Sequence, residues 1–155
     1  MDETIEARLA RLKVALPAAA SPAANYLPFV LHDGLLWISG QLPLTPGGLA
    51  CRGKLGDDVT IEQGKDAARL CAINVLAQAK AALHGDLERI EKVVRITGFV
   101  ASASHFCDQH LVLNGASDFL AEALGARGRH ARAAVGTTSL PLDAAVEVDA
   151  IIAVR

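Results

Sequence analysis

Hydrophobic and polar positions along the chain follow two different periods, which separate helices from strands. Apolar residues recurring every three or four positions predict a short amphipathic helix over residues 3–15. A longer helix is predicted to open at Thr60, which is spaced to form a capping box with Gln63, and to end before Gly85. A further helix is predicted between Ser104, as its cap, and Leu124.

Shorter apolar runs predict the strands, which cover residues 26–31, 35–39, 49–52 and 91–100, followed by a closing pair within 131–154. Asp33-Gly34 joins the first two strands as a hairpin, because both positions tolerate positive φ. The closing pair is interpreted as a second hairpin that turns near Leu140-Pro141-Leu142-Asp143. Its two strands would then lie side by side.

The strand over 91–100 is predicted to have two different faces. One face would carry Val94, Ile96 and Val100, and the other Val93, Arg95, Thr97 and Phe99. The element order predicts a mixed sheet of the α+β type with two helices packed on one face. The chain has only 4 Phe, 1 Trp and 1 Tyr to shield the other face, so subunit association is expected to cover it.

Composition and length predict one globular domain with an N-terminal extension. Hydrophobic residues make up 52% and charged residues 21% of the 155 residues. The Ala-rich segment from Pro17 to Pro22 divides a helical extension, residues 1–23, from a domain of residues 24–155. The acidic N-terminus lacks the pattern of a signal peptide, and three cysteines without a CxxC pair favour a reduced, cytoplasmic setting.

Charge and histidine spacing exclude several classes of function. The net charge of −2, without a basic stripe, argues against nucleic-acid binding, and no apolar run approaches the ~20 residues of a membrane span. The five histidines are scattered without a metal-ligand spacing, so no metal site and no metal cofactor are expected.

The last quarter of the chain carries the best candidates for chemistry. A guanidinium such as that of Arg132 holds a carboxylate through two parallel hydrogen bonds, and a nearby Glu147 would handle protons or orient water. The residues alone leave two structural alternatives open. In the first, Arg132 forms a structural salt bridge. In the second, Glu147 and Asp149 lie on the solvent-facing side of an edge strand.

Three other positions have both a functional and a structural interpretation. Gly40 after a strand allows close backbone approach to a ligand, or simply stops the strand. Tyr26 offers a phenol donor, or is a packed aromatic. Asn114 and Gly115 both weaken a helix. The pair therefore marks the start of a helix or a kink in it, or Asn114 supplies a polar group directed at a cleft.

These motifs together resemble the YjgF family of reactive-intermediate deaminases, also known as the endoribonuclease L-PSP family, over about residues 24–154. Asn114 precedes Arg132 by 18 residues, close to the family's spacing. The other matching segments, in chain order, are Ile38-Ser39-Gly40-Gln41-Leu42-Pro43, Val93 to Val100, Ala131-Arg132-Ala133-Ala134-Val135, Leu140-Pro141 and Val146-Glu147-Val148-Asp149-Ala150.

The resemblance implies a chorismate-mutase-like fold and a homotrimer with ligand clefts between subunits. Active members hydrolyse 2-imino acids, or their enamines, to 2-oxo acids and ammonia, with neither a metal nor an organic cofactor. The implied partners are therefore a small imino or oxo acid and further copies of the chain.

The resemblance also implies roles for individual residues. Arg132 would clamp the substrate carboxylate, and Glu147 would position or activate water. The backbone near Ser39 and Gly40, and that of Ala134 after the arginine, would orient the C=N group. Tyr26 and Asn114 would bound the cleft from opposite walls.

Two departures from the family pattern stand next to the arginine. His130 replaces the usual proline and Ala134 the usual cysteine, and His130 would add a titratable group near the cleft. Two alternatives to the deaminase follow, namely a non-catalytic trimer that binds small carboxylates and a ribonuclease. The charge and the few aromatic residues disfavour the ribonuclease.

Overall fold

The computed structural model describes residues 3–155. The helices are α1 (Ile5–Arg11), α2 (Ile61–Ala82) and α3 (Gln109–Leu124). The strands are β1 (Phe29–His32), β2 (Leu35–Gln41), β3 (Leu44–Thr45), β4 (Gly48–Leu49), β5 (Ile90–Ala101), β6 (Ala131–Thr137) and β7 (Val146–Val154).

Five strands form one mixed sheet in the order β1-β2-β7-β5-β6, and β3 pairs with β4 in a separate small ribbon. Only β5 and β6 run parallel, while the other pairs are antiparallel. The first predicted hairpin is confirmed, with Asp33 at φ 48° and Gly34 at φ 73° in its turn. The predicted edge strand 49–52 is wrong, because Gly48–Leu49 pairs with Leu44–Thr45 and Arg52 makes only an isolated bridge to Ala144.

The predicted closing hairpin is also wrong, because β5 lies between β6 and β7. Helix α3 connects β5 to β6 as a crossover, which places β6 parallel to β5. The chain then passes the end of β5, where Ala101 donates a backbone hydrogen bond to Ala145. It continues as β7 on the other side of β5, so the strands of Arg132 and Glu147 are not neighbours.

A register shift in β5 corrects the predicted faces of that strand. Val93 pairs with Ile152 and is fully buried, whereas Val94 is 42% exposed. A bulge between Val93 and Arg95 reverses the alternation, since one extra residue moves every later side chain to the other face. From Ile96 onward the predicted faces are confirmed.

Local capping decides where the two long helices begin and end. In α2 the predicted capping box is present, with both the Thr60 and Gln63 side chains bonded to backbone amides. The prediction that Ser104 caps α3 is wrong, since Asp108 is the N-cap residue. The end of α3 at Gly125, which has φ 62°, is confirmed.

The N-terminal helix packs into the same core as the rest of the chain. Ile5 and Leu9 of α1 are 0% and 2% exposed. The backbone amide of Ile5 donates to the Glu88 carboxylate at 2.6 Å, and Arg127 binds the same carboxylate at 2.9 Å. These contacts lower the pKa of Glu88 and connect α1 with the segment preceding β5.

Helices α2 and α3 cover one face of the five-stranded sheet, and the core lies between these helices and the sheet, with α1 packed against α3. We call the opposite face of the sheet the open face. Along each strand, the side chains on this face alternate with the side chains that are buried under the helices. Val30, Trp37 and Val135 on this face are 46%, 50% and 44% exposed. None of the helices within residues 3–155 combines the length and apolar character needed to span a bilayer.

Candidate functional site

Arg132 lies on β6, at the edge of the sheet, and points to the helix-covered side. Its register partner on β5 is the buried Ile96. The half-buried guanidinium donates from Nη1 to Ser117 Oγ at 3.0 Å and from Nη2 to the His110 carbonyl at 2.8 Å. Both partners belong to α3, so the helix fixes the direction of the arginine.

Arg132 has no carboxylate partner within the described part of the chain. None of the ion pairs there includes it. Two of its five N–H donors are bonded, which leaves three for a ligand. The structural salt bridge that was the alternative interpretation of this arginine is therefore absent among residues 3–155.

His130 continues the hydrogen-bond chain that begins at Arg132. Its Nε2 lies 2.9 Å from Ser117 Oγ, and its Nδ1 contacts the carbonyl oxygen of Gly128. Burial lowers the pKa of His130, and the positive charges of Arg132 and Lys92 act in the same direction, against the opposing effect of the Gly128 carbonyl. The imidazole is therefore held in its neutral form to lower pH than usual.

A groove of about 310 Å³ opens between α3 and the start of β6, and we call it the Arg132 groove. It is lined by Asn114, Ser117, Asp118, Ala121, Arg129, His130 and Arg132. Asn114 lies within α3, which neither starts nor kinks there, so the interpretation of a polar group directed at a cleft is the one the structure supports. Gly115 lies against the Lys65 backbone, where a β-carbon would overlap the carbonyl.

A second group of predicted residues surrounds Gly40 and Glu147, and we call it the Gly40 patch. Gly40 does not end β2 but lies inside it, where the register with β7 shifts between Ile38 and Gln41. A β-carbon at position 40 would overlap the Glu147 carboxylate. The glycine is thus required for the close approach of this carboxylate to the β2 backbone.

Ser39 and Tyr26 belong to the Gly40 patch as well. The Ser39 hydroxyl donates to the Leu27 carbonyl at 2.7 Å and so fixes the segment that carries Tyr26. Tyr26 is 47% exposed and lines, together with Gly40, a small cavity of about 50 Å³. The tyrosine is therefore not a packed core aromatic.

Glu147 is half-buried on the open face beside Asp149. Burial raises the pKa of Glu147, and the negative charge of Asp149 raises it further. Asp149 itself accepts a hydrogen bond from the Thr97 amide at 3.2 Å. β7 is not an edge strand, which contradicts the solvent-facing edge strand considered for these two carboxylates.

Within the chain the two groups lie on opposite faces of the sheet. Arg132 shares the helix-covered face with Ile96, whereas Glu147 is the register partner of Phe99 on the open face. Ala134 follows Arg132 on the same face of β6 and packs against the core. The arrangement brings Asn114, His130 and Arg132 together, but it separates them from Tyr26, Ser39, Gly40 and Glu147.

Ser117 is the groove residue that bonds to both Arg132 and His130, and the sequence did not single it out. It lies three residues after Asn114 on α3, the spacing that places two side chains on one helix face. That spacing was the available signal. The contact with Arg132 is not local and depends on how α3 packs on β6.

Comparison with known proteins gives the family. The family described as "YjgF/chorismate_mutase-like, putative endoribonuclease" matches residues 6–153. The chain belongs to this family. The matched range includes nearly all of α1 as well as both groups of candidate residues.

One sequence relative and two solved structures are similar to this YjgF-like chain over nearly its whole length. Protein TCP17 of Trypanosoma cruzi is 48% identical over 149 residues, covering 96% of this chain and 92% of that protein. The crystal structure of Atu1372 from Agrobacterium tumefaciens, described as having unknown function, is 52% identical with a TM-score of 0.92 and covers 97% and 92% of the two chains. A Shewanella oneidensis structure with the endoribonuclease description is 34% identical with a TM-score of 0.94, covering 98% of this chain and 100% of that one.

Proposed function

We propose that this protein hydrolyses 2-imino acids, or their enamines, to 2-oxo acids and ammonia. The observation that carries the proposal is Arg132, a half-buried arginine in an open groove that is held by two neutral partners and by no carboxylate of the described chain. A guanidinium in that state is ready to bind a substrate carboxylate through parallel hydrogen bonds.

The proposed active site is completed by association of subunits as a homotrimer. Trp37, Val30 and Val135 leave apolar surface exposed on the open face, which association would bury. The β6 strand of Arg132 is at the edge of the sheet, where a neighbouring copy has access to it. A neighbour would then present its Gly40 patch, with Glu147 and Tyr26, to the Arg132 groove.

In this site the substrate carboxylate binds Arg132, and the planar C=N carbon lies between the two groups of residues. Asn114 and the partner subunit's Tyr26 bound the cleft. The partner subunit's Glu147 holds the attacking water, since a half-buried carboxylate is a strong acceptor for water. Positioning water against an electrophilic carbon supplies much of the rate enhancement that such a reaction needs.

The direct test follows ammonia release from 2-iminopropanoate, which an amino-acid oxidase generates from alanine in the assay. The wild-type protein is expected to accelerate release above the spontaneous rate, and Arg132→Ala to lower kcat/KM by at least about 10²-fold. Arg11→Ala, which changes an exposed arginine of α1, is the matched control and should behave as wild type. An Arg132→Ala variant as fast as the wild type would refute the assignment.

A second candidate function is a trimer that binds small carboxylates without catalysis. The observation in its favour is that Arg132 and Glu147 lie on opposite faces of one subunit, so binding at the groove does not by itself bring in Glu147. This candidate predicts pyruvate binding that depends on Arg132 together with no ammonia release above background.

A further inference from the structure

The hydrogen-bond chain in the Arg132 groove defines which atom carries each proton. A carbonyl oxygen only accepts, so the contact with Gly128 requires a hydrogen on His130 Nδ1. In the neutral imidazole, Nε2 is then an acceptor. The Ser117 hydroxyl, 2.9 Å away, therefore donates to Nε2 and in turn accepts from Arg132 at 3.0 Å.

We propose that Ser117 and His130 form the proton relay of the Arg132 groove, with Ser117 touching the reacting water and His130 taking up its proton through Ser117. This inference rests on the proposed imine hydrolysis and extends it. A hydroxyl bonded to a base, with that base oriented by a third group, is the arrangement that moves protons in many active sites. Here the third group is the Gly128 carbonyl.

The position of Ser117 fits this role, because it is bonded to the same arginine that would hold the substrate. A carboxylate on Arg132 places the adjacent imine carbon next to Ser117 Oγ, at the open side of the groove. The partner subunit's Glu147 would hold the water from the other side. Ser117 is therefore the catalytic residue of the relay, and His130 is a positioning residue that acts through it.

The proton balance of the step is complete without a co-reactant. Water oxygen bonds to the imine carbon while its proton passes to Ser117 Oγ, and the Ser117 proton passes to His130 Nε2. The relay returns this proton through Ser117 to the nitrogen, which gives the neutral carbinolamine. When the carbinolamine collapses, its hydroxyl gives the second water proton to the same relay, which passes it to the nitrogen as the C–N bond breaks, so that the 2-oxo acid forms and ammonia leaves. His130 ends in the neutral form in which it began.

The charged groups around His130 favour its action as a base near neutral pH. Arg132 on β6 and Lys92 on β5 both disfavour the imidazolium. Arg129 and Asp118 line the same groove with opposite charges. The neutral imidazole is accordingly the resting form, and acidification removes the proton acceptor.

The test compares pH profiles of kcat and KM for 2-iminopropanoate in Ser117→Ala, His130→Asn and the conservative Ser117→Thr. Both Ser117→Ala and His130→Asn should lower kcat about 10²-fold. His130→Asn should change KM less than about threefold, because His130 bonds to Ser117 and Gly128 and not to the clamp, whereas Ser117→Ala should also raise KM, because it removes one of the two hydrogen-bond partners of Arg132. The decrease of kcat at acidic pH that the wild type should show is expected to disappear in His130→Asn. Ser117→Thr, which keeps a hydroxyl, should recover most of the kcat lost in Ser117→Ala. Ser104→Ala and His84→Asn, which change exposed residues outside the groove, are controls.

Different results would refute the proton relay and the proposed imine hydrolysis. Ammonia release by the wild type, with an unchanged kcat and an unchanged decrease of kcat at acidic pH in His130→Asn, would refute the relay and leave the deaminase standing. No ammonia release by the wild type would refute both. If a variant does not fold, ¹⁵N NMR of wild-type His130 decides, since added pyruvate should shift its Nε2 signal and no shift would contradict the relay.

Discussion

The carboxylate of Glu147 occupies the space that a β-carbon at position 40 would fill, so Gly40 and Glu147 are in direct contact across β2 and β7. Only a glycine permits this contact, and the contact determines where the carboxylate lies on the open face. It explains why Gly40, for which the sequence left a strand stop and a close approach to a ligand both open, belongs to the proposed active site.

Replacing Gly40 by alanine should displace Glu147 and impair catalysis more than folding. We expect kcat for 2-iminopropanoate to fall roughly 10²-fold, because small displacements of catalytic groups cost about that much. Gly47→Ala is the matched control, since a β-carbon there meets only Thr45 Oγ1 at an ordinary 3.6 Å. Equal rates in Gly40→Ala and wild type would show that the position of Glu147 is unimportant.

The pKa of Glu147 predicts a pH-dependent effect on stability. Burial and Asp149 raise this pKa in the folded state, so the group's stabilising contribution is fully present below the unfolded pKa and is lost as pH rises through the folded pKa. Glu147→Gln should therefore raise Tm relative to wild type at neutral pH, with the difference vanishing well below the ordinary pKa of 4.5. Glu122→Gln, at an exposed position of α3, is the matched control. The measurement spans about pH 4 to pH 8, the range in which carboxylates and histidines titrate. A Tm difference between Glu147→Gln and wild type that stays constant over this range would contradict a raised pKa of Glu147.

Helix α1 should contribute to global stability. Ile5 is fully buried, so Ile5→Ala should lower the free energy of unfolding by about 2–5 kcal/mol, against about 0.5–1.5 kcal/mol for Ile5→Val. Chemical denaturation measures both values. A loss under about 0.5 kcal/mol for Ile5→Ala would mean that α1 is not part of the cooperative unit.

The open face should be responsible for association. Trp37→Glu places a charge on the exposed apolar surface of the open face and is expected to weaken self-association at least about 10²-fold by analytical ultracentrifugation. Leu142→Glu changes a residue that is 58% exposed outside the sheet, and it should leave the assembly intact. A Trp37→Glu protein that remains fully associated would place the interface elsewhere.

Local signals in the sequence were sufficient for most elements, although not for the strand expected at 49–52, and they did not determine every pairing. Asp33-Gly34 specifies its hairpin because turn chemistry acts between adjacent strands, and Thr60 with Gln63 specifies the start of α2 within one turn. The segment after Thr137 also resembles a turn, but it does not determine which strand pairs with which. The strand–helix–strand order of β5, α3 and β6 predicts the parallel pairing better than the turn does.

The candidate site shows the same division between local and non-local information. The family motifs identified Arg132 and Glu147, but their placement on opposite faces depends on β5 lying between their strands. The bulge after Val93 moves the later residues of β5 to the other face and follows from pairing with β7. Ser117 was missed because its partner Arg132 comes from a strand that packs on α3 only in the folded protein.

The most direct test of the account is subunit complementation between Arg132→Ala and Glu147→Gln. Each variant alone should release ammonia from 2-iminopropanoate at no more than about 1% of the wild-type rate. After the two are unfolded together and refolded, random trimers should recover about one quarter of the wild-type rate, because some sites then combine an intact Arg132 with the partner's intact Glu147. Two inactive variants whose mixed oligomers remain inactive would contradict an active site shared between subunits.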